Sequence, residues 1–402
     1  MGHLSLAHML RHLKGQLGDT EFEHSSLMMI LTIKLTSFAF SVYDGTRPEK
    51  ELNEYQRAMR ITQYPTLLEF LGWSFFFGGY LVGPACEFAD YRALTTLTIF
   101  EKRDEKTGQK ILERPSAILP GLFSLGKSLV FVMLLLVLGP QFPTEYMIAK
   151  EFMQLPLWKR IFYLQGVIFT NRAKYYTVWL MAEGACIIAG LGFNGYDKNG
   201  NPTWDRVSNV NPIVYETAPN LKILIEAWNM RTNKWLKNYV YLRVASQGST
   251  PGLLPTALTF FVSAMWHGFH IGYYLTFVSG AFAQVLARKM RRNFRPLFLK
   301  PDGQPTRSKF IYDTMGRFAA VMSINYYTAP FFLLGLRESI IAWRAVWFYG
   351  HVGIILFEMF FMLGGAAWCR KLQRKRNVQK LQNEPRKSEK ELVVGETGFP
   401  QT

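Results

Sequence analysis

The feature that most constrains this chain is a run of 44 residues, 244–287, that contains no Asp, Glu, Lys or Arg. A helix needs about 20 mostly apolar residues to cross the hydrocarbon core of a bilayer. The run is therefore long enough for two crossings or for one re-entrant hairpin. A chain that contains such a segment is predicted to be an integral membrane protein whose crossings are helices.

Other apolar segments predict several crossings. In all we count about seven or eight, and besides 244–287 they are 26–43, 66–86, 128–144, 175–196, 318–336 and 345–368. A large soluble protein with buried helices is the alternative. It does not explain the basic clusters at 288–292 and 370–376, each of which directly follows an apolar run. Such clusters mark the cytoplasmic side of a membrane, and both could not lie there with an odd number of crossings between them. Half-length or re-entrant segments are therefore expected between 293 and 368.

The charge of the chain favours a lipid partner. Its net charge is +17, from 46 Lys and Arg against 29 Asp and Glu. In a soluble protein this excess would indicate nucleic acid, but beside these apolar runs it indicates an anionic membrane surface, and no nucleic-acid partner is expected. The three cysteines, Cys86, Cys186 and Cys369, are too few and too scattered for a disulfide scaffold or a cysteine-based zinc site.

Polar segments divide the chain. Residues 44–60 and 101–114 are charged connections, and residues 194–220, rich in Asn, Gly and Pro, are predicted to form an irregular loop. Between 370 and 391 there are nine Lys or Arg against three Glu. We therefore expect residues 370–402 to be a basic cytoplasmic tail, first helical and then disordered. Solvation of this tail and contact with anionic lipid are both compatible with its composition.

Residues 221–240 carry a first group of polar candidates. Apolar side chains recur there at helical spacing and basic ones occupy other positions, which predicts one amphipathic helix at an interface. On that helix Asn229 lies on the apolar stripe, with Asn233 one turn further on. A buried amide without a partner costs about 1–3 kcal/mol. The two amides are therefore either hydrogen-bonding contacts between helices or part of a site.

His267 lies near the middle of the uncharged run. An ionisable residue at membrane depth is a candidate functional residue, and an imidazole can accept a proton near pH 7. A structural histidine bonded across helices is an equally good interpretation. A metal site shared with His270 is a weaker one, because no further ligands lie nearby, and we expect no metal. Gly268 and Gly272 predict a helix break or a close approach of backbones.

Two sequence motifs resemble one enzyme family. The segment WNMRTNKWL at 228–236 is followed, 38 residues after Asn229, by SAMWHG with His267. Together they resemble the Asn and His signature of the membrane-bound O-acyltransferases (MBOAT). The segments GLGFNGYD at 190–197, WDR at 204–206 and RNFRP at 292–296 are similar to those of fungal broad-specificity lysophospholipid acyltransferases. The resemblance covers roughly residues 1–370.

The resemblance implies a fold and an activity. The fold is an all-α, polytopic helical bundle over residues 1–369, with re-entrant and interfacial helices around a central chamber. The activity is transfer of a fatty acyl group from acyl-CoA to the free hydroxyl, mostly sn-2, of a lysophospholipid in the endoplasmic reticulum membrane, with no cofactor besides the co-substrate acyl-CoA. It assigns His267 as the general base and Asn229 as its polar companion.

Other residues are candidates for substrate binding or for ion pairs. Those for substrate binding are Trp228, Asn233, Arg231, Lys234, Trp266 and Glu183. Arg231, Lys234, Lys237 or Arg243 would meet the phosphates of CoA, although a solvated basic helix face explains the same residues. Glu183 and Lys34 lie in apolar segments and need partners, which for Glu183 are expected to be Lys174 or Arg172. His351 and Glu358 are interpreted as structural.

Three alternatives stay open. An enzyme of the same family with a sterol, diacylglycerol or protein as acceptor would share these motifs. A transporter with His267 in a proton relay is a different class, although paired acidic residues at membrane depth and half-repeats are not evident. The third is an inactive fragment, because members of the family usually begin with further membrane helices before the region that matches Met1.

Overall fold

A computed structural model of the protein describes residues 1–13, 24–103, 108–245, 253–300 and 302–383. This part of the chain is mostly helical, and its only strands form one small hairpin, which confirms the all-α fold class. Its α-helices up to the Asn- and Gly-rich loop are α1 Gly2–Leu13, α2 His24–Gly45, α3 Glu54–Met59, α4 Leu67–Ser74, α5 Phe88–Thr95, α6 Ile118–Leu138, α7 Lys150–Gln154 and α8 Leu157–Ile188.

The second half contains shorter and interrupted helices. These are α9 Pro212–Glu216, α10 Leu221–Glu226, α11 Met230–Trp235, α12 Leu242–Val244, α13 Leu253–His267, α14 Ile271–Phe294, α15 Lys309–Leu333, α16 Leu336–Ala345, α17 Tyr349–Phe360 and α18 Ala366–Asn383. Two π-helical turns, Leu236–Tyr241 and Phe361–Gly365, join α11 to α12 and α17 to α18.

The polar connections contain some regular structure. In the charged connection, β1 (Glu101–Arg103) and β2 (Lys110–Leu112) pair antiparallel, with Lys102 opposite Ile111. The predicted loop 194–220 is irregular except for an isolated bridge and for α9, which begins at a proline after the side-chain cap of Asn211. The tail is helical as far as Asn383, and the predicted disorder falls on residues 384–402, which lie outside the described residues.

Three stretches of the described residues are long and apolar enough to cross a membrane: Ser25–Gly45, Ile118–Ile148 and Tyr349–Lys375. This is fewer than the seven or eight segments counted from the sequence. The difference arises because helices begin and end inside the apolar runs. The longest run is divided between α13 and α14, and 66–86 contains only the eight-residue α4.

Small residues allow α6 to pack closely against α8. A Cβ added to Gly121 would lie 2.4 Å from a side-chain carbon of α8, and one added to Gly184 would lie 2.8 Å from a side-chain carbon of α6. Ser124 and Ser128 of α6 donate hydrogen bonds of 3.0 and 2.8 Å to backbone carbonyls of α8. Close approach at small residues, with polar bonds between helices, is how membrane helices associate without a hydrophobic driving force.

A buried ion pair connects α8 to α9 and α15. The guanidinium of Arg172 donates two hydrogen bonds of 2.9 Å to the carboxylate of Glu216 and one of 2.7 Å to Asn325. The phenol of Tyr176 donates to the same carboxylate at 2.7 Å. These bonds satisfy a charge that would otherwise be costly to bury.

The two partners of this pair differ in exposure, so their removal should differ in cost. The side chain of Arg172 is 4% exposed and that of Glu216 is 27% exposed. Glu216→Ala leaves the buried cation without its counter-charge, and we expect a loss of about 3 kcal/mol of folding free energy. Arg172→Met leaves a carboxylate that reaches solvent and should cost less. Thermal unfolding of the purified variants in detergent measures the order, and an equal or opposite order would contradict this explanation.

Lys34 is buried in α2 without a carboxylate partner among the described residues. Its ammonium donates to the carbonyls of Trp73 and Ser74, at 2.7 and 3.2 Å, and lies 5.3 Å from the Trp73 ring centroid. These carbonyls belong to the last turn of α4, where the helix dipole favours a cation. The sequence predicted that Lys34 needs a partner, and in the structure that partner is the C-terminal end of α4. Glu358 is paired with Lys289, and His351 with the hydroxyl of Tyr326.

Candidate active site

Asn229 lies at a break in the helix that the sequence predicted to be continuous. The prediction of one amphipathic helix over 221–240 was wrong, because α10 ends at Glu226 and α11 begins at Met230. Between them Asn229 adopts the left-handed conformation, with φ 44° and ψ 51°. This conformation costs an ordinary L-residue roughly 1–2 kcal/mol, and Asn is among the few residue types that tolerate it. Asn229 is therefore not on a continuous apolar stripe.

A polar loop holds this break in place. The backbone N–H of Asn211 donates to the carbonyl of Ala227 at 3.0 Å, and that of Met230 donates to the carbonyl of Asn209 at 2.8 Å. The side-chain oxygen of Asn209 accepts a further bond of 3.0 Å from the N–H of Arg231. The predicted helix loses its continuity here because these tertiary hydrogen bonds replace internal helical ones.

Two of the predicted binding residues support the same turn. The amide of Asn233 donates to the carbonyls of Ile225, at 2.9 Å, and of Trp228, at 2.6 Å. The ring of Trp228 packs 4.9 Å from Trp179 and is surrounded by tyrosines. Both side chains therefore fix the segment that ends at Asn229.

A second helix break lies directly after His267. Helix α13 ends at this residue, Gly268 has a positive φ of 135°, and α14 begins at Ile271. A Cβ on Gly272 would lie 2.2 Å from the carbonyl oxygen of Pro330. The break and the close backbone approach that the two glycines predicted are both present. The 244–287 run thus contains a broken helix pair rather than one long crossing.

The imidazole of His267 is half-buried among aromatic rings. Its centroid lies 4.7 Å from Trp266, 4.9 Å from Phe331, 5.3 Å from Phe277 and 5.7 Å from Tyr273. These rings come from α13, α14 and α15, so three helices surround the imidazole. They shield it from water and restrict its orientation.

Trp266, the neighbour of His267, is fixed by the first two helices. Its indole N–H donates to the carbonyl of Met29 at 2.9 Å, and its carbonyl accepts from the imidazole of His8 at 3.1 Å. His8 is buried and also lies against Gly268, where an added Cβ would be 3.4 Å from the His8 ring. The backbone on both sides of His267 is thus held by α1 and α2.

One small cavity lies between Asn229 and Trp266, the residue before His267. Its volume is about 30 Å³, and its lining includes Asn229, Arg231 and Trp266 of the predicted residues, together with Asn209 and Trp179. His267 follows Trp266 in the chain but does not line this cavity, and among the described residues no hydrogen bond joins His267 to Asn229. The space holds about one or two water molecules, so side chains must move apart before an acyl chain enters.

Arg231 differs from the other arginines near this cavity. Arg172, Arg206 and Arg243 each form an ion pair, with Glu216, Asp90 and Asp44 respectively. Within the described part of the chain the guanidinium of Arg231 has no carboxylate partner, and it lines the cavity beside Asn229. Arg243, predicted as a phosphate contact, instead makes bonds of 2.7 and 2.5 Å to the buried carboxylate of Asp44.

Lys234 is a half-buried residue of α11 that lies over a second polar cluster. Its ammonium lies 4.8 Å from the centroid of the Tyr55 ring, and burial lowers the pKa of Lys234. Tyr55 and Tyr239 donate hydrogen bonds of 2.6 and 3.0 Å to Glu87. Burial raises the pKa of Glu87. Lys234 is therefore half-withdrawn from solvent beside a carboxylate, rather than on a solvated face.

The expected pairing of Glu183 with Lys174 or Arg172 was wrong. Its carboxylate accepts from the hydroxyl of Ser208, and its second oxygen is buried without a partner among the described residues. Glu183 and its two expected partners, Lys174 and Arg172, all lie on α8. Arg172 is eleven positions, or roughly 16 Å of helix rise, from Glu183. A helix cannot bring together two of its own residues at that separation.

Sequence reasoning missed Asn209 and His8. Asn209 is 2% exposed in the polar segment VSNVNP, and its position between two valines that are also buried, Val207 and Val210, is a signal that could have identified it. His8 gave no signal, because its contact with Trp266 spans 258 positions of the chain.

Comparisons with known proteins identify the family of the chain. The model of the MBOAT, membrane-bound O-acyltransferase family matches residues 16–329, a range that includes both helix breaks. The chain belongs to this family. Asn229 and His267, each next to a helix break, both lie within the matched range.

Similar proteins within the family come from fungi and animals. The chain is 42% identical over 357 residues to the lysophospholipid acyltransferase of Schizosaccharomyces pombe, covering 89% of this chain and 69% of that protein. It is 39% identical over 380 residues to the lysophospholipid acyltransferase of Saccharomyces cerevisiae, covering 90% and 61%. Membrane-bound glycerophospholipid O-acyltransferase 2 of Mus musculus is 34% identical over 365 residues, covering 89% and 68%. The chain thus spans about two thirds of the length of these relatives.

The backbone of Asn229 predicts an unusual order of substitutions. Asn229→Gly should unfold at nearly the wild-type temperature, because glycine adopts positive φ without steric cost. Asn229→Ala should lose about 1 kcal/mol or more, because its Cβ disfavours this conformation. Thermal unfolding in detergent checks the order, which is the reverse of that in a helix interior, where alanine is the better residue. An alanine variant that is more stable than the glycine variant would contradict the assignment.

Proposed function

We propose that this chain transfers a fatty acyl group from acyl-CoA to the free hydroxyl, mostly at sn-2, of a lysophospholipid. The observation that carries the proposal is the 42% identity, over 89% of the chain, to a protein named lysophospholipid acyltransferase. The polar residues at the two helix breaks support it, since they supply the groups that acyl transfer to an alcohol requires.

The proposed chemistry needs one base and one hydrogen-bond donor. The imidazole of His267 accepts the proton of the lipid hydroxyl while the oxygen attacks the thioester carbonyl carbon. An ester C–O bond forms as the C–S bond breaks. The CoA thiolate that leaves then accepts the proton from the imidazolium, which restores the neutral imidazole. A positioned base contributes typically 10²–10⁴-fold to such a reaction. No acyl-enzyme is needed, because the thioester is already activated and both substrates meet in one site.

Asn229 is the proposed donor to the oxyanion that develops on the thioester oxygen. Its side chain makes no capping bond to α11, so its amide is available to a substrate. The fixed turn at 227–230 holds the amide before the reaction begins, which is the condition for effective stabilisation of developing charge. The rings around His267 would exclude water, which otherwise competes with the lipid hydroxyl for the thioester.

Arg231 is the proposed contact to a substrate phosphate. It is a cation without a carboxylate partner in the described chain, and it lines the cavity with Asn229. A guanidinium matches the geometry of phosphate oxygens. Lysophospholipids and CoA both carry phosphate, so either substrate supplies the partner. Trp266 contributes the apolar wall between this cation and His267.

We place the enzyme in the endoplasmic reticulum membrane. Its three candidate spans and its family support a membrane location. The basic residues Arg370, Lys371, Arg374 and Lys375 of α18 form the end of the candidate span Tyr349–Lys375 and would meet anionic lipid at the cytoplasmic surface.

Loss of the base should abolish activity without loss of the fold. We expect His267→Ala and His267→Gln to reduce transfer from labelled oleoyl-CoA to lysophospholipids by about 10²–10⁴-fold, because neither side chain accepts the proton. His351→Gln is the matched control, since His351 is also half-buried among aromatic rings but is bonded to Tyr326. It should retain most activity. Full activity of the His267 variants at equal expression would rule out the mechanism.

Asn229→Gly separates the amide of Asn229 from its backbone role. The glycine keeps the left-handed turn, so the protein should remain folded while the rate falls by about 10²–10³-fold through loss of the donor. The measurement is acyl transfer at saturating substrate, beside the unfolding temperature of the same preparation. A stable and fully active glycine variant would show that only the conformation of residue 229 matters.

A further inference from the structure

A second cavity lies at one end of the membrane span that contains α6. Its volume is about 250 Å³, and it is lined by Arg114 and Ser116, by the first residue of α6, by Ile188 at the end of α8, and by Trp204. Ile118 begins both α6 and the candidate span Ile118–Ile148, so this cavity lies where the membrane interface meets the protein. It shares no lining residue with the cavity at Asn229.

The polar groups around this cavity are hydrogen-bond donors. The guanidinium of Arg114 lies 5.5 Å from the Phe100 ring centroid and has no carboxylate partner in the described chain. The indole N–H of Trp204 is buried and has no acceptor among the described residues. Ser116 adds a hydroxyl, and none of the lining residues is acidic. A site of unused donors with one cation and no carboxylate is complementary to an anion.

The beginning of α6 adds to this preference. Ala117 has no side chain that caps the 21-residue helix, so the first-turn N–H groups of α6 are left for an external acceptor. The positive end of the helix dipole has the sign that favours a negative group. This contribution is additional to Arg114 and Trp204, whose lack of acceptors is an independent observation.

The outer face of α6 is suited to an acyl chain. Leu119, Leu122 and Phe123 are 76%, 53% and 68% exposed, and their spacing places them on one side of the helix. This exposed strip begins within one turn of the cavity and continues along the candidate span. A molecule with an anionic head and apolar tails would therefore meet donors at one end and hydrocarbon-like surface below.

We propose that this cavity binds the phosphate of an anionic glycerophospholipid, whose acyl chains lie along α6. Arg114 binds the phosphate oxygens, a small turn of the Trp204 ring brings its buried N–H to the same phosphate, and Leu119, Leu122 and Phe123 contact a chain. The bound lipid links the end of α8 and the loop at Trp204 to the beginning of α6, and it stabilises the α6 and α8 pair. This site is independent of the proposed acyl transfer, because it uses neither Asn229 nor His267.

The test measures lipid binding by the full chain in detergent. Dioleoylphosphatidic acid is added in increasing amounts, and the unfolding temperature and the lipid retained in native mass spectra are recorded. Arg114→Gln should weaken binding about tenfold, and Trp204→Phe, which keeps the ring, should weaken it several-fold. Arg103→Gln is the matched control, because Arg103 is an exposed cation in the hairpin that precedes Arg114 and does not line the cavity. It should bind as the wild type does.

Other ligands identify what the cavity recognises. Inorganic phosphate at the same concentration should leave the unfolding temperature unchanged. Dioleoylglycerol, which has the acyl chains without the phosphate, should also leave it unchanged. Binding that is unchanged in both Arg114→Gln and Trp204→Phe would overturn the proposal. An equal shift with inorganic phosphate would show a site for a free anion instead. His267→Ala should retain wild-type lipid binding even though it loses acyl transfer. Failure of the lipid-site proposal is therefore distinguishable from failure of the proposed catalysis.

Discussion

Every backbone N–H and C=O group in an apolar environment needs a hydrogen-bond partner, and the candidate active site depends on how this requirement is met at two helix breaks. At the first break, the carbonyl and side chain of Asn209 accept bonds from Met230 and Arg231. At the second, the carbonyl of Leu334 accepts from Gly272 at 2.9 Å. Each break is thus closed by a distant segment, and each places one polar side chain, Asn229 or His267, where a regular helix would not.

The surrounding helices make these breaks tolerable. Glycines and serines bring α6 against α8, and the ion pair of Arg172 and Glu216 connects α8 to the short helices that precede Asn229. Trp228 packs on Trp179 of the same helix α8, which also lines the cavity. The long α8 is therefore a rigid reference for the turn at Asn229, while α13, α14 and α15 provide the rings around His267.

The sequence predicted the features that depend on local patterns. Apolar runs indicated the helical membrane class, Gly268 and Gly272 indicated the second break, and the resemblance of two motifs indicated the family. It did not predict the left-handed turn at Asn229, because helical periodicity continues through residues 221–240 and the competing hydrogen bonds come from the loop at Asn209. The same limit explains Glu183 and Arg243, whose partners, Ser208 and Asp44, are identified only when separate elements pack together.

The hydrogen bonds of Trp266 to the first two helices have a consequence for shortened forms of this chain. Its indole is fixed to Met29 of α2 and its carbonyl to His8 of α1, although the residue itself lies more than 230 positions later. A polypeptide that began after α2, whether through proteolysis or a downstream start codon, would retain both signature motifs intact. It would lack the groups that orient the residue preceding the imidazole. The presence of both motifs alone would then identify as active a molecule whose candidate catalytic segment had lost the helices that hold it.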